Sequence, residues 1–485
     1  MPRVSGEANI KSTLLLTCLC FLQLGADLLP AFSAQSVGYQ TILALQSEKS
    51  KERRSAKKAI IGSRDQSLIP GLIDSLFFTP VEFRGETLEA VGALAQIDLG
   101  PNYHDWVEWI GRHPEIDPLA GYVEFKSRLL SRIDGLYSKI FYFDVPMKIR
   151  FEEVVWGGVR VGGIPALVEP KVIGADEADY LSDDERVFGA AVNGAYRAYP
   201  LRIMDWHEMA NDTLGGKPVT LSYCTLCGSG ILYDTRKPGG GHFVFGTSGV
   251  LYRSNKLMID EDSLSLWSNL TGEPVVGKLV PEPIRLQVLP MTLTTWKAWR
   301  TLHPDTTVLD LDSLQSRYAF LYDPGAAEES RQGVAFPVWQ RDNRLSRNEE
   351  VYAVVVRGRP KAYSTTAAVA AGVLNDTIGK TAVVLVADRV SGSIRVFLRG
   401  DRMFESGPGG KLVDDRGVGW TVTEEALIPD STEEQADRLA RLPGHVAYWF
   451  GWYGFYPNTE LWTGDDPAQT QPSSESGEST ASTRR

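Results

Sequence analysis

Two short blocks hold the residues best suited to chemistry. D-W-H-E occupies Asp205 to Glu208, and S-Y-C-T-L-C-G-S occupies Ser222 to Ser229. Thiols three residues apart can close a structural disulfide, cycle between dithiol and disulfide, or chelate a metal ion with both sulfurs. In thioredoxin-like sites the first cysteine begins a helix, whose dipole lowers its pKa. Here the β-branched run Val219–Tyr223 enters the motif and Ile231–Tyr233 leaves it, with Gly228 available for a left-handed turn. That pattern predicts a hairpin tip, closer to a metal-binding knuckle. A zinc ribbon needs a second Cys pair, which the chain lacks, so further ligands must be His, Met or carboxylate. His207 leads these, with Asp205, Glu208 and Met258 as secondary candidates; a Met258 thioether would favour copper, the other ligands zinc or copper. Each has a plainer reading. His207 shares a helix face with Ile203, Met204 and Ala210 and fits a core residue, Met258 fits core packing, and the Cys pair fits a structural disulfide. A ring that short gains little from loop closure, so stability alone is a weak reason for it.

Placing those blocks requires the rest of the chain. It has 485 residues with 50 Lys+Arg against 61 Asp+Glu, a net charge of −11. That length suits several domains, and 43% hydrophobic with 23% charged residues is globular composition. The acidic balance argues against nucleic acid as a partner. Four cysteines exclude a disulfide-dense scaffold. Two of them, Cys18 and Cys20, lie in an apolar run, Leu14 to Leu24, that comes after Arg3 and Lys11 and precedes Ala31-Phe32-Ser33. This reads as an export signal over 1–34, too short for a comfortable span of about 20 residues. The expected product is periplasmic or secreted, without a stable membrane span; the alternative is an uncleaved N-terminal anchor. Only Cys224 and Cys227 then remain.

From 35 to 150 the apolar spacing is helical: Ile42 and Leu45, then Ile69, Leu72, Ile73 and Leu76, then Leu88, Val91 and Leu94. The region resembles a degenerate HEAT-type repeat that could recruit a protein partner, or else a helical cap on the next domain. After Phe151 the chain turns to short β-branched runs, interrupted by helical stretches at Leu201–Asn211 and Leu293–Leu302. Residues 464–485 are Ser, Thr, Gln and Pro rich and predict a disordered tail.

An internal repeat organises the middle. An offset of 164 carries Glu185 to Glu349, Gly194 to Gly358, Tyr199 to Tyr363 and Asn211-Asp212-Thr213 to Asn375-Asp376-Thr377. Further on, an offset of 153 carries Trp267, Trp296 and Trp299 to Trp420, Trp449 and Trp452. The expectation is an α+β chain with a tandemly duplicated β-rich module, 151–325 and 330–463, related by a pseudo-two-fold. The first offset also carries His207, Glu208, Cys224 and Cys227 to Ala371, Gly372, Asp388 and Ser391. Residues kept in both halves read as fold-bearing, and those confined to the first half as chemical. Asn211, Asn269 and Asn375 head glycosylation sequons but coincide in part with repeated fold positions, so they read as structural.

The run F-G-A-A-V-N-G-A-Y-R-A-Y-P through S-Y-C-T-L-C-G-S, with the blocks F-G-T-S-G-V-L-Y-R-S-N-K-L-M-I-D, S-L-W-S-N-L-T-G-E-P-V-V-G and T-T-W-K-A-W-R-T-L-H-P-D-T, resembles the bacterial family known as domain of unknown function 3179. The resemblance is strongest over 185–310 and looser across the second half. Thr225 stands where that family usually has Pro. The family carries no activity to transfer, and no G-x-S-x-G elbow or H-E-x-x-H helix suggests a hydrolase. The reading is therefore an exported metal-binding or thiol-redox module with its site in the first copy, or a non-catalytic binding or assembly module with a structural disulfide.

Overall fold

The helical spacing at the start of the chain produces helices at Ser50–Ser63, Ile69–Phe78, Arg84–Ala95, Tyr103–Gly111 and Tyr122–Leu130. The computed structural model describes residues 37–314, 322, 336–430 and 438–464. The expected export signal lies outside the described residues, as does the expected tail apart from Gly464. Among the described residues no helix is long and apolar enough to cross a membrane.

Ile69–Phe78 is the central helix of this region, buried at every position from Ile69 to Leu76. It includes Asp74, which accepts from Tyr122 at 2.5 Å and pairs with Lys126 at 3.0 Å. Burying a carboxylate is costly unless it is paired and hydrogen-bonded, and both conditions hold here. Lys126 also donates to the Phe151 carbonyl at 2.7 Å, and Tyr137 to the Ser248 carbonyl at 3.0 Å. The helices are thereby fastened to the β-rich part of the chain.

The remainder is mixed helix and sheet, in several sheets. One five-stranded sheet runs in the order Met291–Thr295, Arg186–Val192, Ala195–Pro200, Thr307–Leu309, Val172–Gly174. A four-stranded sheet later in the chain runs Gly444–Tyr448, Glu350–Val356, Arg359–Ser364, Glu460–Trp462. In both, the central hairpin is antiparallel and the fourth strand pairs parallel to the third. Elsewhere the regions differ. Residues 154–289 contribute two further five-stranded sheets, whereas 373–442 contribute one of eight strands.

Particular hydrogen bonds recur at the sequence offsets. Tyr199 donates to Asp212 at 2.8 Å, and Tyr363 to Asp376 at 2.8 Å. The Trp299 indole donates to Thr306 at 2.8 Å, and that of Trp452 to Thr459 at 2.9 Å. Asn211 and Asn375, at the 164 offset, each exchange two bonds with a Phe backbone, Phe245 and Phe404 respectively, the two Phe being 159 positions apart. This structural duty of Asn211 and Asn375 agrees with reading their sequons as fold positions.

Two expected helices are shorter than their apolar spacing. The first spans Leu201–His207 and gives way to the strand Met209–Leu214. Glu208, at φ 57°, is the left-handed cap that ends it, and the amide of Asn211 is drawn into the sheet by Phe245. The second spans Trp296–Leu302; Thr292, Thr294 and Thr295 before it are strand residues, as their β-branched character favours. The Thr295 hydroxyl accepts from the Ala298 amide and caps the helix.

Candidate functional site

The Cys motif is a hairpin tip. Strand Lys217–Cys224 pairs antiparallel with Ser229–Asp234, with Cys224 opposite Ser229. A single 3-10 turn, Thr225–Cys227, reverses the chain, and Gly228 at φ 57° completes it. A side chain at Gly228 would also come within 3.1 Å of the Tyr448 ring, so the position favours glycine on two counts. Both cysteines are free thiols, 1% and 0% exposed, with sulfurs 2.8 Å apart. They pack with Val338 and Phe450, and with the half-buried Leu226 and Tyr448.

Polar groups from a second hairpin surround them. Asn255 donates its amide to Cys227 Sγ at 2.8 Å and to Ser229 Oγ at 3.3 Å. Asn269 donates to the same Ser229 hydroxyl at 3.1 Å and accepts from Ser222 at 2.5 Å. Lys256, 3% exposed, donates to the carbonyls of Glu208 and Tyr223 at 2.8 and 2.7 Å and lies 3.6 Å from the Glu208 carboxylate. Its ammonium is thus held between the helix cap and the strand that ends in Cys224.

The two thiols titrate as a pair. Burial pushes Cys224 up, but the hydrogen bond from Cys227 and the Lys256 charge outweigh it and bring it below the ordinary thiol value. Burial and then the Cys224 bond and charge hold Cys227 well above that value. The first proton therefore leaves readily and the second with difficulty, as for any coupled pair. Burial also lowers the Lys256 ammonium, opposed by Glu208 and both sulfurs.

The other sequence candidates are distributed unequally around this centre. Glu208 joins it through Lys256 and through Thr225, whose hydroxyl lies 3.4 Å from the carboxylate. His207 engages its two ring nitrogens elsewhere, with the Pro165 carbonyl at 2.7 Å and the Tyr322 hydroxyl at 2.5 Å. Burial lowers its pKa, so the imidazole is neutral near pH 7. Asp205 is buried on the same short helix. Met258 packs in the apolar core with Phe243, Phe245 and Trp267. Among the described residues no three His, Cys, Asp or Glu side chains stand together as a group able to hold a metal ion.

Asn255 and Lys256 carry no signal of type or spacing, Ser222 and Ser229 only bound the Cys block, and Asn269 reads as the head of a sequon. The signal lay in the comparison of halves: Ser222 and Asn269 correspond to Val386 and Val422 at the two offsets.

The family model described as "Protein of unknown function (DUF3179)" matches residues 161–459, more than half of the chain, and the chain belongs to that family. No curated protein and no solved structure matches it.

Proposed function

We propose that the protein carries a dithiol–disulfide couple, Cys224 and Cys227, in the first of two duplicated modules. The observation that carries this reading is the pair of free thiols 2.8 Å apart, with a buried ammonium fixed beside the first and an amide donor on the second. Cys224, the more acidic, is the attacking thiol, and Cys227 resolves the mixed disulfide. The duplication itself is supported by the matching strand orders and by the hydrogen bonds that recur at offsets of 164 and 153. The helical region is read as a cap, supported by its attachment to Phe151 and Ser248. With an export signal at 1–34, the couple works outside the cytoplasm.

Titration of the couple against glutathione or dithiothreitol buffers, read by alkylation and mass, tests the proposal. A midpoint between about −180 and −280 mV is expected; one below about −300 mV would assign the pair to structure. That second reading, an assembly module with a structural disulfide, is favoured by the near-complete burial of both sulfurs. A metal centre would have to find its third ligand beyond the described groups, and elemental analysis of untagged protein tests it directly.

A further inference from the structure

A cleft of about 220 Å³ opens behind the Cys hairpin, lined among others by Val338, Gln340, Arg341, Arg347 and Phe450. Val338 and Phe450 are also the residues packed on Cys224 and Cys227. One layer of side chains thus separates the cleft from the sulfurs. At 220 Å³ it falls below the roughly 300–1,000 Å³ of sites for drug-sized molecules, so its occupant is small.

Its charges are unevenly satisfied. Arg341 is paired with Glu108 at 2.6 Å, and Asp342 with Arg344 at 3.0 Å. Arg347 has no carboxylate within ion-pair distance among the described residues. It donates to the Phe336 carbonyl at 3.4 Å and lies over the Phe450 ring, 4.9 Å from its centroid. Gln340 Oε1 is buried in the same wall without a hydrogen-bond partner among the described residues. A cation and an unsatisfied amide therefore border an apolar floor that backs onto two thiols.

We propose that this cleft admits a small disulfide bearing a carboxylate, held by Arg347 and presented to the Cys pair when Phe450 moves aside. The assignment rests on the dithiol reading of the pair. The Cys224 thiolate attacks one sulfur of R–S–S–R, forming Cys224–S–S–R and releasing RS⁻, which takes up a proton. The Cys227 thiolate, having given up its proton, then displaces the second RS⁻ and closes the Cys224–Cys227 disulfide. The small disulfide is reduced to two thiols as the protein dithiol is oxidised.

The test uses the full chain, reduced and freed of reductant, with dithiodiglycolate, hydroxyethyl disulfide and cystamine as anionic, neutral and cationic probes. Each rate of thiol loss is divided by that of free dithiothreitol with the same probe. The anionic probe should exceed the neutral one by about tenfold at low salt, with cystamine slowest, and high salt should compress the order. Arg347→Gln should bring the anionic-to-neutral ratio near unity, and Arg347→Lys should retain part of it, with unchanged Tm showing that both variants fold. Equal normalised rates in the wild type, or an Arg347→Gln ratio like the wild type, would overturn the cleft assignment while the couple stands. Failure of all three probes to oxidise the pair would remove the couple as well.

Discussion

Cys224 and Cys227 differ through their neighbours, because each sulfur meets a different donor. Lys256 lies on the Cys224 side, and replacing it with Met removes the only ammonium among the described groups around the pair. The thiol alkylation rate, followed against pH, should then reach its midpoint at higher pH than in the wild type. The direction comes from the charge: a cation favours the thiolate, and its loss favours the thiol. Cys227→Ser should trap the mixed disulfide on Cys224, visible as an added mass that dithiothreitol removes, whereas Cys224→Ser should trap none. The thiols and the turn were legible in the sequence because they lie within eight consecutive residues. Asn255 and Lys256 were not, since they arrive from a hairpin about thirty residues further on and only the sheet register brings them to the sulfurs. His207 was legible as a polar residue confined to the first half, but its partners Pro165 and Tyr322 are separated from it by 42 and 115 positions.

At the scale of elements, the hairpin tip is clamped by the short helix Trp449–Tyr453. A Cβ on Gly451 would stand 2.6 Å from Cys227 Cβ. Gly451→Ala should therefore cost about 1–3 kcal/mol by overpacking, measured by urea unfolding, and should change the couple's potential with it. A loss of stability with no change in potential would show that the contact does not reach the sulfurs. Apolar periodicity located two other short helices, Leu201–His207 and Trp296–Leu302, but overran their bounds. The apolar spacing continues across Glu208 and Ala210, and periodicity alone does not register a left-handed cap. The strands around the motif were expected one or two residues short, for the same reason: polar ends such as Lys217 and Asp234 pair in the ladder without contributing to the pattern.

At the scale of the whole molecule, a buried ionic knot ties the strand Met291–Thr295 to Arg395, Glu424 and Arg441. Glu424, 2% exposed, receives Arg395 and Arg441, while Arg441 also donates to the Met291 carbonyl at 2.7 Å and to Thr292 at 2.9 Å. Burial pushes the Glu424 carboxyl up, but the two guanidinium charges outweigh it and hold it well below its ordinary value. Its folded value is depressed, so it contributes stability that is full above about pH 5 and is lost as pH falls further. Glu424→Gln should cost about 3–5 kcal/mol at neutral pH by stranding two buried cations, and should flatten the acid limb of a stability–pH curve. None of this knot was visible in sequence, where Glu424 is one carboxylate among many.

Arg186 and Glu350, which are 164 positions apart, meet each other, with both carboxylate oxygens 3.1 Å from one guanidinium nitrogen. In the proposed duplication these are the same position in the two copies, so the contact lies on the axis relating them. A position on a two-fold axis faces itself in any symmetric pair. Two first halves docked through this face would oppose arginine to arginine, and two second halves glutamate to glutamate. Exposed as it is, the pair adds less than about 1 kcal/mol to stability. Its weight, in the proposed duplication, is in partner choice: like charges on the axis penalise pairing of a half with its own kind and leave the pairing of first with second favoured.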